Sequence, residues 1–291
     1  MTSIVHITNL QRHMGKQSVL QNITSEVQQG DVIALLGKNG AGKTTLLETI
    51  LGLALPSAGE VRVFGTLSHE ITSIEKQRIG FVPQQDELLE QLTPREHLSL
   101  FAQFQAKWNN TLCDRLCQSW EIPLNTRISK LSLGQRQKLS IILALCHQPD
   151  LLILDEPVAS LDPIARRQFL TELISIALDQ QTAIIFSSHI VTDMERVATK
   201  VWLLKDHQLC WQGELDTLKE QVVRLHISAA SPLPTNLVIA NSIRHVYQGK
   251  TAMFTVTGWH DALKHALEQQ LQADVQVEYL NLEDIFLELN A

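Results

Sequence analysis

Gly37-Lys38-Asn39-Gly40-Ala41-Gly42-Lys43-Thr44-Thr45 follows the pattern GxxxxGK[ST], and its flanks give it a structural setting. Upstream, Val32-Ile33-Ala34-Leu35-Leu36 is a short apolar, β-branched run between Gly30-Asp31 and Gly37, which predicts a buried strand. Downstream, Thr44 to Gly52 reads as a helix. Strand, glycine-rich loop and helix in that order separate a phosphate-binding loop from a chance match. The three glycines let the backbone wrap around an anion, so that successive N–H groups and the helix N-terminus point at phosphates. Lys43 then supplies a point charge to the β- and γ-phosphates of a nucleotide, and the Thr44 hydroxyl is placed to ligate Mg2+.

A second stretch, Leu151-Leu152-Ile153-Leu154-Asp155-Glu156-Pro157, opens with four consecutive apolar residues, the mark of a strand buried on both faces in a parallel sheet. Two carboxylates emerge at its C-terminal end, where open α/β sheets bind their ligands. Asp155 is expected to hold Mg2+ directly or through water opposite Thr44, and Glu156 to orient and deprotonate an attacking water. Pro157 ends the strand at once and fixes where both side chains point, which argues against a solvated acidic loop. Thr182 to Ser187 predicts another buried strand, ending at Ser188-His189. A lone histidine is usually structural, but the C-terminal edge of a strand beside the phosphate site marks His189 for function.

At 291 residues the chain is long enough for one large domain and a small one. No apolar run reaches the roughly 20 residues of a membrane span, and Met-Thr-Ser-Ile-Val-His at the start lacks the charged and apolar regions of a signal peptide. A net charge of −7 argues against nucleic acid as a partner. Cys113 and Cys117 stand one helical turn apart, yet no nearby His or Cys completes a metal set, so free thiols in a reducing compartment are expected for these and for Cys146 and Cys210. Ile4 to Leu10 and Val19 to Val27 alternate as strands of a half-buried antiparallel sheet. Pro56-Ser57-Ala58-Gly59 predicts a turn, Val61 to Phe64 and Ile79 to Val82 strands, and Leu92 to Leu131 a helical block opened by Thr93-Pro94-Arg95-Glu96. Leu98, Phe101, Ala102 and Gln105 would form the apolar stripe of its first helix.

With these residues in view, the chain resembles the ATP-binding cassette (ABC) ATPases over residues 1–218. Beside the phosphate loop and the Walker B stretch, Gln84 in Phe81-Val82-Pro83-Gln84 is similar to the family's Q-loop glutamine. Leu131-Ser132-Leu133-Gly134-Gln135 resembles its signature, Ser160-Leu161-Asp162 its D-loop, and His189 its switch histidine, all in the family's order. The resemblance implies an α/β fold: a P-loop NTPase core with an antiparallel β subdomain and a helical subdomain at about residues 85–135, followed by a small C-terminal α+β domain at 219–291. It implies ATP and Mg2+ as ligands, gripped by Gly37, Asn39, Gly40, Ala41, Gly42, Lys43, Thr44 and Thr45, with Thr44, Gln84 and Asp155 on the metal and Glu156, His189 and Gln84 catalytic. Ser132, Gly134 and Gln135 precede a helix, so that a hydroxyl, backbone N–H groups and a helix dipole face an anion. In the family that anion is the γ-phosphate held by a second cassette, identical or related, toward which Asp162 also lies. A transmembrane permease on a separate chain completes such a transporter, placing the motor in the cytoplasm against the inner face of the membrane.

The tail after Gly213 predicts a helix over Glu214 to Gln221, a breaker at Ser231-Pro232-Leu233-Pro234, strands at Val222 to Ile227, Ala252 to Val256 and Val275 to Tyr279, and a helix over Asp261 to Leu271. Leu282, Ile285, Phe286 and Leu289 share one face of a last helix, whose Leu-Glu-Asp-Ile-Phe run resembles the ending of bacterial exporter ATPase subunits and suits a simple amphipathic cap equally well. A soluble cassette acting on ribosomes or DNA usually carries two cassettes or a long coiled-coil insertion, and neither is present; Glu156 and His189 argue against a regulatory module without turnover. Two positions depart from the family. Leu133 stands where glycine is more usual, and Met14 stands where an aromatic residue usually stacks on adenine, with His13 beside it. A thioether covers less of a ring face than tyrosine does, so GTP is expected to compete with ATP more than in tyrosine-bearing relatives. Met14→Tyr should shift the ratio of ATP to GTP affinities toward ATP, as measured by calorimetry; an unchanged ratio refutes a role for Met14 at the base.

Overall fold

Two hydrophobic clusters divide the chain into units spanning 1–212 and 213–291. The computed structural model describes residues 3–234 and 237–290. Met1, Thr2 and Ala291, at the outer bounds of the two expected domains, lie outside the described residues.

In chain order the first unit runs β1 (Ser3–Met14), β2 (Gln17–Gln28), β3 (Val32–Leu36), α1 (Lys43–Ile50), β4 (Ala58–Val63), β5 (Thr66–Leu67), α2 (Ser73–Lys76), β6 (Ile79–Val82), α3 (Pro94–Ala102), α4 (Asn110–Ser119), α5 (Leu133–Cys146), β7 (Leu151–Asp155), α6 (Pro163–Gln180), β8 (Ala183–Ser187), α7 (Val191–Glu195), β9 (Lys200–Lys205) and β10 (Gln208–Glu214). Two sheets result, an antiparallel one in the order β2-β1-β4-β5 and a six-stranded one in the order β10-β9-β3-β8-β7-β6, parallel wherever β9, β3, β8, β7 and β6 pair. The five residues of β3, of β7 and of β8 are all buried, as expected for strands covered on both faces. Alternation in β1 and β2 turns Ile7, Leu10, Leu20 and Ile23 toward Leu46, Leu47 and Ile50 of α1, whose opposite side meets Ile33, Ile153 and Ile185 of the parallel sheet. The helix after the phosphate loop is therefore the middle layer of the core, and the loop inherits its rigidity.

Three local readings shift. The expected turn at Pro56-Ser57-Ala58-Gly59 gives its last two residues to β4. The stripe on α3 is Pro94, His97 and Leu98 rather than Leu98, Phe101, Ala102 and Gln105, because the helix stops at Ala102 and Phe101 turns to its open side. Strands β9 and β10 had no forecast; Val201-Trp202-Leu203-Leu204 is buried in β9, and the hairpin closes through Asp206 and His207, both left-handed. In the helical region Asn109 caps α4, and its N–H donates to the Cys146 carbonyl at 2.7 Å. That contact brings Cys146 close to Cys113, with Cys117 one helical turn further along α4. The third thiol that the sequence places far away is thus adjacent in space, and all three are free and buried.

The second unit continues with α8 (Leu215–Gln221), β11 (Val223–Ala229), β12 (Ser242–Gln248), β13 (Thr251–Val256), α9 (Ala262–Leu271), β14 (Ala273–Tyr279) and α10 (Leu282–Leu289). Its antiparallel sheet has the order β12-β13-β11-β14, and Leu225, Ile227, Phe254 and Val275 pack with Leu267 and Leu271 of α9. Helix α10 buries Leu282 and Ile285 and also Glu288, whose carboxylate accepts from the Arg224 guanidinium at 2.8 Å.

His97 on α3 is 1% exposed, its Nδ1 has no hydrogen-bond partner, and its ring meets the Phe101 ring edge-on at 4.9 Å. Burial holds its pKa below the ordinary histidine value. The unfolded chain therefore binds this proton first, and stability should fall as pH drops below about 6.5. His97→Phe is expected to flatten the decline of melting temperature between about pH 6.5 and 5, a window above that of the carboxylates; a decline as steep as the parent's excludes His97 as its source.

Candidate functional site

Strand β3 delivers the chain into the loop at Gly37, and α1 starts from Gly42, whose φ of 107° lies in the left-handed region that favours glycine. A Cβ there would lie 2.7 Å from the Val19 carbonyl oxygen, so the loop and the β1–β2 hairpin approach more closely than any other residue allows. Gly42 also leaves the first turn of α1 without a side-chain cap, and its orphan N–H groups remain available to an anion. The Lys43 ammonium folds back over the loop and donates to the Gly37 carbonyl at 2.7 Å.

Opposite the loop a chain of hydrogen bonds crosses the C-terminal ends of neighbouring strands. Thr44 Oγ1 donates to Asp155 Oδ2 at 2.6 Å, and Ser187 Oγ donates to Asp155 Oδ1 at 2.6 Å. Ser187 Oγ in turn accepts from the Glu156 N–H at 3.0 Å. Glu156 has a positive φ of 51°, an uncommon backbone state for its type, which turns its side chain away from the line of β7. Its Oε2 accepts from the His189 N–H at 3.1 Å and lies 2.7 Å from His189 Nδ1. Glu156 is buried whereas the His189 side chain is exposed, so the histidine screens the carboxylate from one side.

A cavity of about 270 Å3 lies between the loop and the carboxylates, with Ser187 and His189 behind its lining residues rather than among them. Asn39, Gly40, Gly42, Lys43, Thr44 and Thr45 form its floor, and Gln84, Asp155 and Glu156 the facing wall. The Thr44 hydroxyl, the Asp155 carboxylate and the Gln84 amide oxygen are hard oxygen donors, the set that suits Mg2+. Gly37 and Ala41 stand just outside, Gly37 as acceptor for Lys43 and Ala41 packed on the core. Met14 ends β1 and is 60% exposed, beyond the lining residues; the β1–β2 hairpin contributes Val19 instead.

The signature residues are elsewhere on the surface. Ser132 caps α5 in a reciprocal box with Gln135: its Oγ accepts from the Gln135 N–H at 3.2 Å, and Gln135 Oε1 accepts from the Ser132 N–H at 3.0 Å. Ser132 and Leu133 are exposed, and Gly134 lies against the Ser160 carbonyl. Asp162 caps α6, accepting from the N–H groups of Ala165 and Ile164, which hold its carboxyl below the ordinary value. Two contributors escaped the sequence reading, Val19 and Ser187. Ser187 carried a signal, since a hydroxyl residue ends a fully buried strand next to the one that ends in Asp155.

The family model described as ABC transporter matches residues 20–159. The bacitracin transport ATP-binding protein BcrA of Bacillus licheniformis is 32% identical over 223 residues, 76% of this chain and 73% of its own. The Nod factor export ATP-binding protein I of Neorhizobium galegae is 29% identical over 282 residues, 94% of this chain and 81% of its own. A solved structure of the ATP-binding subunit of an ABC transporter superposes with a TM-score of 0.67 at 29% identity, covering 73% of this chain and 90% of that one. The phosphate loop, the two strand-end carboxylates beside it and these likenesses converge: the chain belongs to the ATP-binding cassette transporter family and is the ATP-binding and ATP-hydrolysing subunit of such a transporter.

Proposed function

We propose that this chain powers export through a separate transmembrane permease, and that two cassettes close head to tail on ATP to do so. The observation that carries this reading is that Ser132 and the N-terminus of α5 are exposed and absent from the wall of the chain's own cavity. An exposed helix end with a hydroxyl, the positive end of the helix dipole and the first-turn N–H groups that the Ser132–Gln135 box does not use suits the γ-phosphate of a nucleotide held by another cassette, identical or related. Binding energy shared across such an interface joins the cassettes while the triphosphate is whole and is lost on hydrolysis.

Within the cavity, the loop N–H groups and Lys43 balance the phosphate charge, while Asn39, Thr45 and the left-handed glycines shape the cradle. Thr44, Asp155 and Gln84 would hold magnesium, which would offset the negative charge that develops on the phosphate. Glu156 accepts the proton of the attacking water, and His189, bonded to Glu156 through both its N–H and its ring, keeps that carboxylate in place. Ser187 joins the Asp155 carboxylate to the backbone N–H of Glu156.

A groove beside Gln84, lined by Leu47, Leu53, Phe81, Pro83 and Glu87, suits a cytosolic loop of the permease, and Leu53 and Leu89 are exposed near it in sequence. Among the described residues no helix is long and apolar enough to cross a membrane, so the transport path is assigned to the permease, with this chain on the cytoplasmic face of the membrane. The net charge of −7 disfavours nucleic acid as a partner. Export rather than import rests on the relatives, one of them a Nod factor export protein.

Glu156→Gln is expected to keep ATP affinity, to lower turnover at least about a hundredfold, and to accumulate an ATP-bound dimer visible by light scattering. Turnover at the parental rate removes Glu156 from the mechanism. Ser187→Ala leaves Asp155 Oδ1 and the Glu156 N–H without their partner and should cost about 1–3 kcal/mol in denaturant unfolding, together with a lower kcat for ATP hydrolysis. Unchanged stability and kcat together would show that Ser187 organises neither carboxylate.

A further inference from the structure

A half-buried polar link outside the nucleotide cavity joins the Q-loop to the signature helix. Arg136, the fourth residue of α5, presents its guanidinium to Asp86: Nε donates to both carboxylate oxygens at 3.0 Å, and Nη2 to Oδ1 at 2.7 Å. Its remaining arm, Nη1, donates to Glu90 at 2.8 Å. The Arg136 and Asp86 side chains are only 19% and 7% exposed, unlike a solvated surface pair. Asp86 first and Glu90 second hold the guanidinium firmly in its charged form. Backbone bonds join the chain just after Asp86 to the residues just before α5, from the Ile128 N–H to the Leu92 carbonyl at 2.8 Å and from the Ser129 N–H to the Glu90 carbonyl at 3.1 Å.

What lies at each end of this link gives it a use. Gln84, two residues before Asp86, is in the wall of the nucleotide cavity. Ser132 caps α5, and its carbonyl accepts from the Arg136 N–H at 3.0 Å. Gln84, Asp86, Leu133 and Arg136 also share the wall of a second, open cavity. We infer that Arg136 is a positioning residue: through Asp86 it ties the Gln84 loop to the N-terminus of α5, so that nucleotide contact at Gln84 sets the orientation of the Ser132 end offered to the other cassette. A planar guanidinium in multiple contact with one carboxylate is directional as well as strong, so the two segments move together or the link breaks. The inference rests on the two-cassette reading, because only there does the Ser132 end have a partner.

The test uses the full chain carrying Glu156→Gln, with and without Arg136→Ala. The MgADP Kd should stay near the parental value, since no residue of the nucleotide cavity is changed, while the melting temperature falls because Asp86 is left buried without its partner. ATP-driven dimerisation, followed by analytical ultracentrifugation, should weaken about tenfold, the scale of a lost coupling contact. Amide exchange over residues 84–90 should rise in the same variant, and the double change Asp86→Arg with Arg136→Asp should recover part of both effects. Unaltered dimerisation and exchange in Arg136→Ala overturn the inference, as does a loss of MgADP affinity as large as the loss of dimerisation, which would mark a general structural role. If the Glu156→Gln chain itself stays monomeric with saturating ATP, the two-cassette reading is what fails, and exchange at 84–90 still decides whether Arg136 holds the Q-loop.

Discussion

The constraint on which the site depends is the run of hydrogen bonds that crosses the sheet from Thr44 through Asp155 and Ser187 to Glu156 and His189. Its members come from α1, from the ends of β7 and β8, and from the turns that follow them, so it exists only if β3, β8 and β7 are neighbours in register. Buried carboxylates are costly without partners, and the two hydroxyls meet that cost for Asp155. The same bonds place side by side the groups proposed to hold a metal and to activate water. Stability and catalysis thus draw on one set of contacts.

Three helix N-termini illustrate how local chemistry separates roles. Helices α5 and α6 begin with side-chain caps, Ser132 satisfying the Gln135 N–H of α5 and Asp162 the Ile164 and Ala165 N–H groups of α6. Helix α1 begins with Gly42 and has no such cap. An uncapped, buried helix end next to a lysine is poorly satisfied in isolation, and phosphate is the ligand that completes it. Sandwiching α1 between two sheets keeps that end from relaxing by fraying.

Much of the site was legible because its groups are close in sequence as well as in space. The loop from Gly37 to Thr45 carries its own turn geometry, and β7 carries its two carboxylates at its end. Residues that act from a distance were less visible. Val19 reaches the cavity because β2 folds over Gly42, and Cys146 reaches Cys113 because α4 is capped against the end of α5. Phe101 misled the periodicity argument because α3 ends one residue later, which removes the turn that would have covered it.

Composition and spacing by themselves determined an α/β chain with a phosphate loop, paired strand-end carboxylates and the order of six motifs, since these depend on backbone conformations and chemistries encoded within a few residues. Tertiary structure alone decided that Ser187 bridges the Asp155 carboxylate and the Glu156 N–H, that Arg136 grips Asp86, and that Ser132 stands clear of its own chain's cavity. Each of those facts depends on which strands and helices become neighbours after crossovers of tens of residues. Burial of the whole core sets that adjacency, and no local pattern records it.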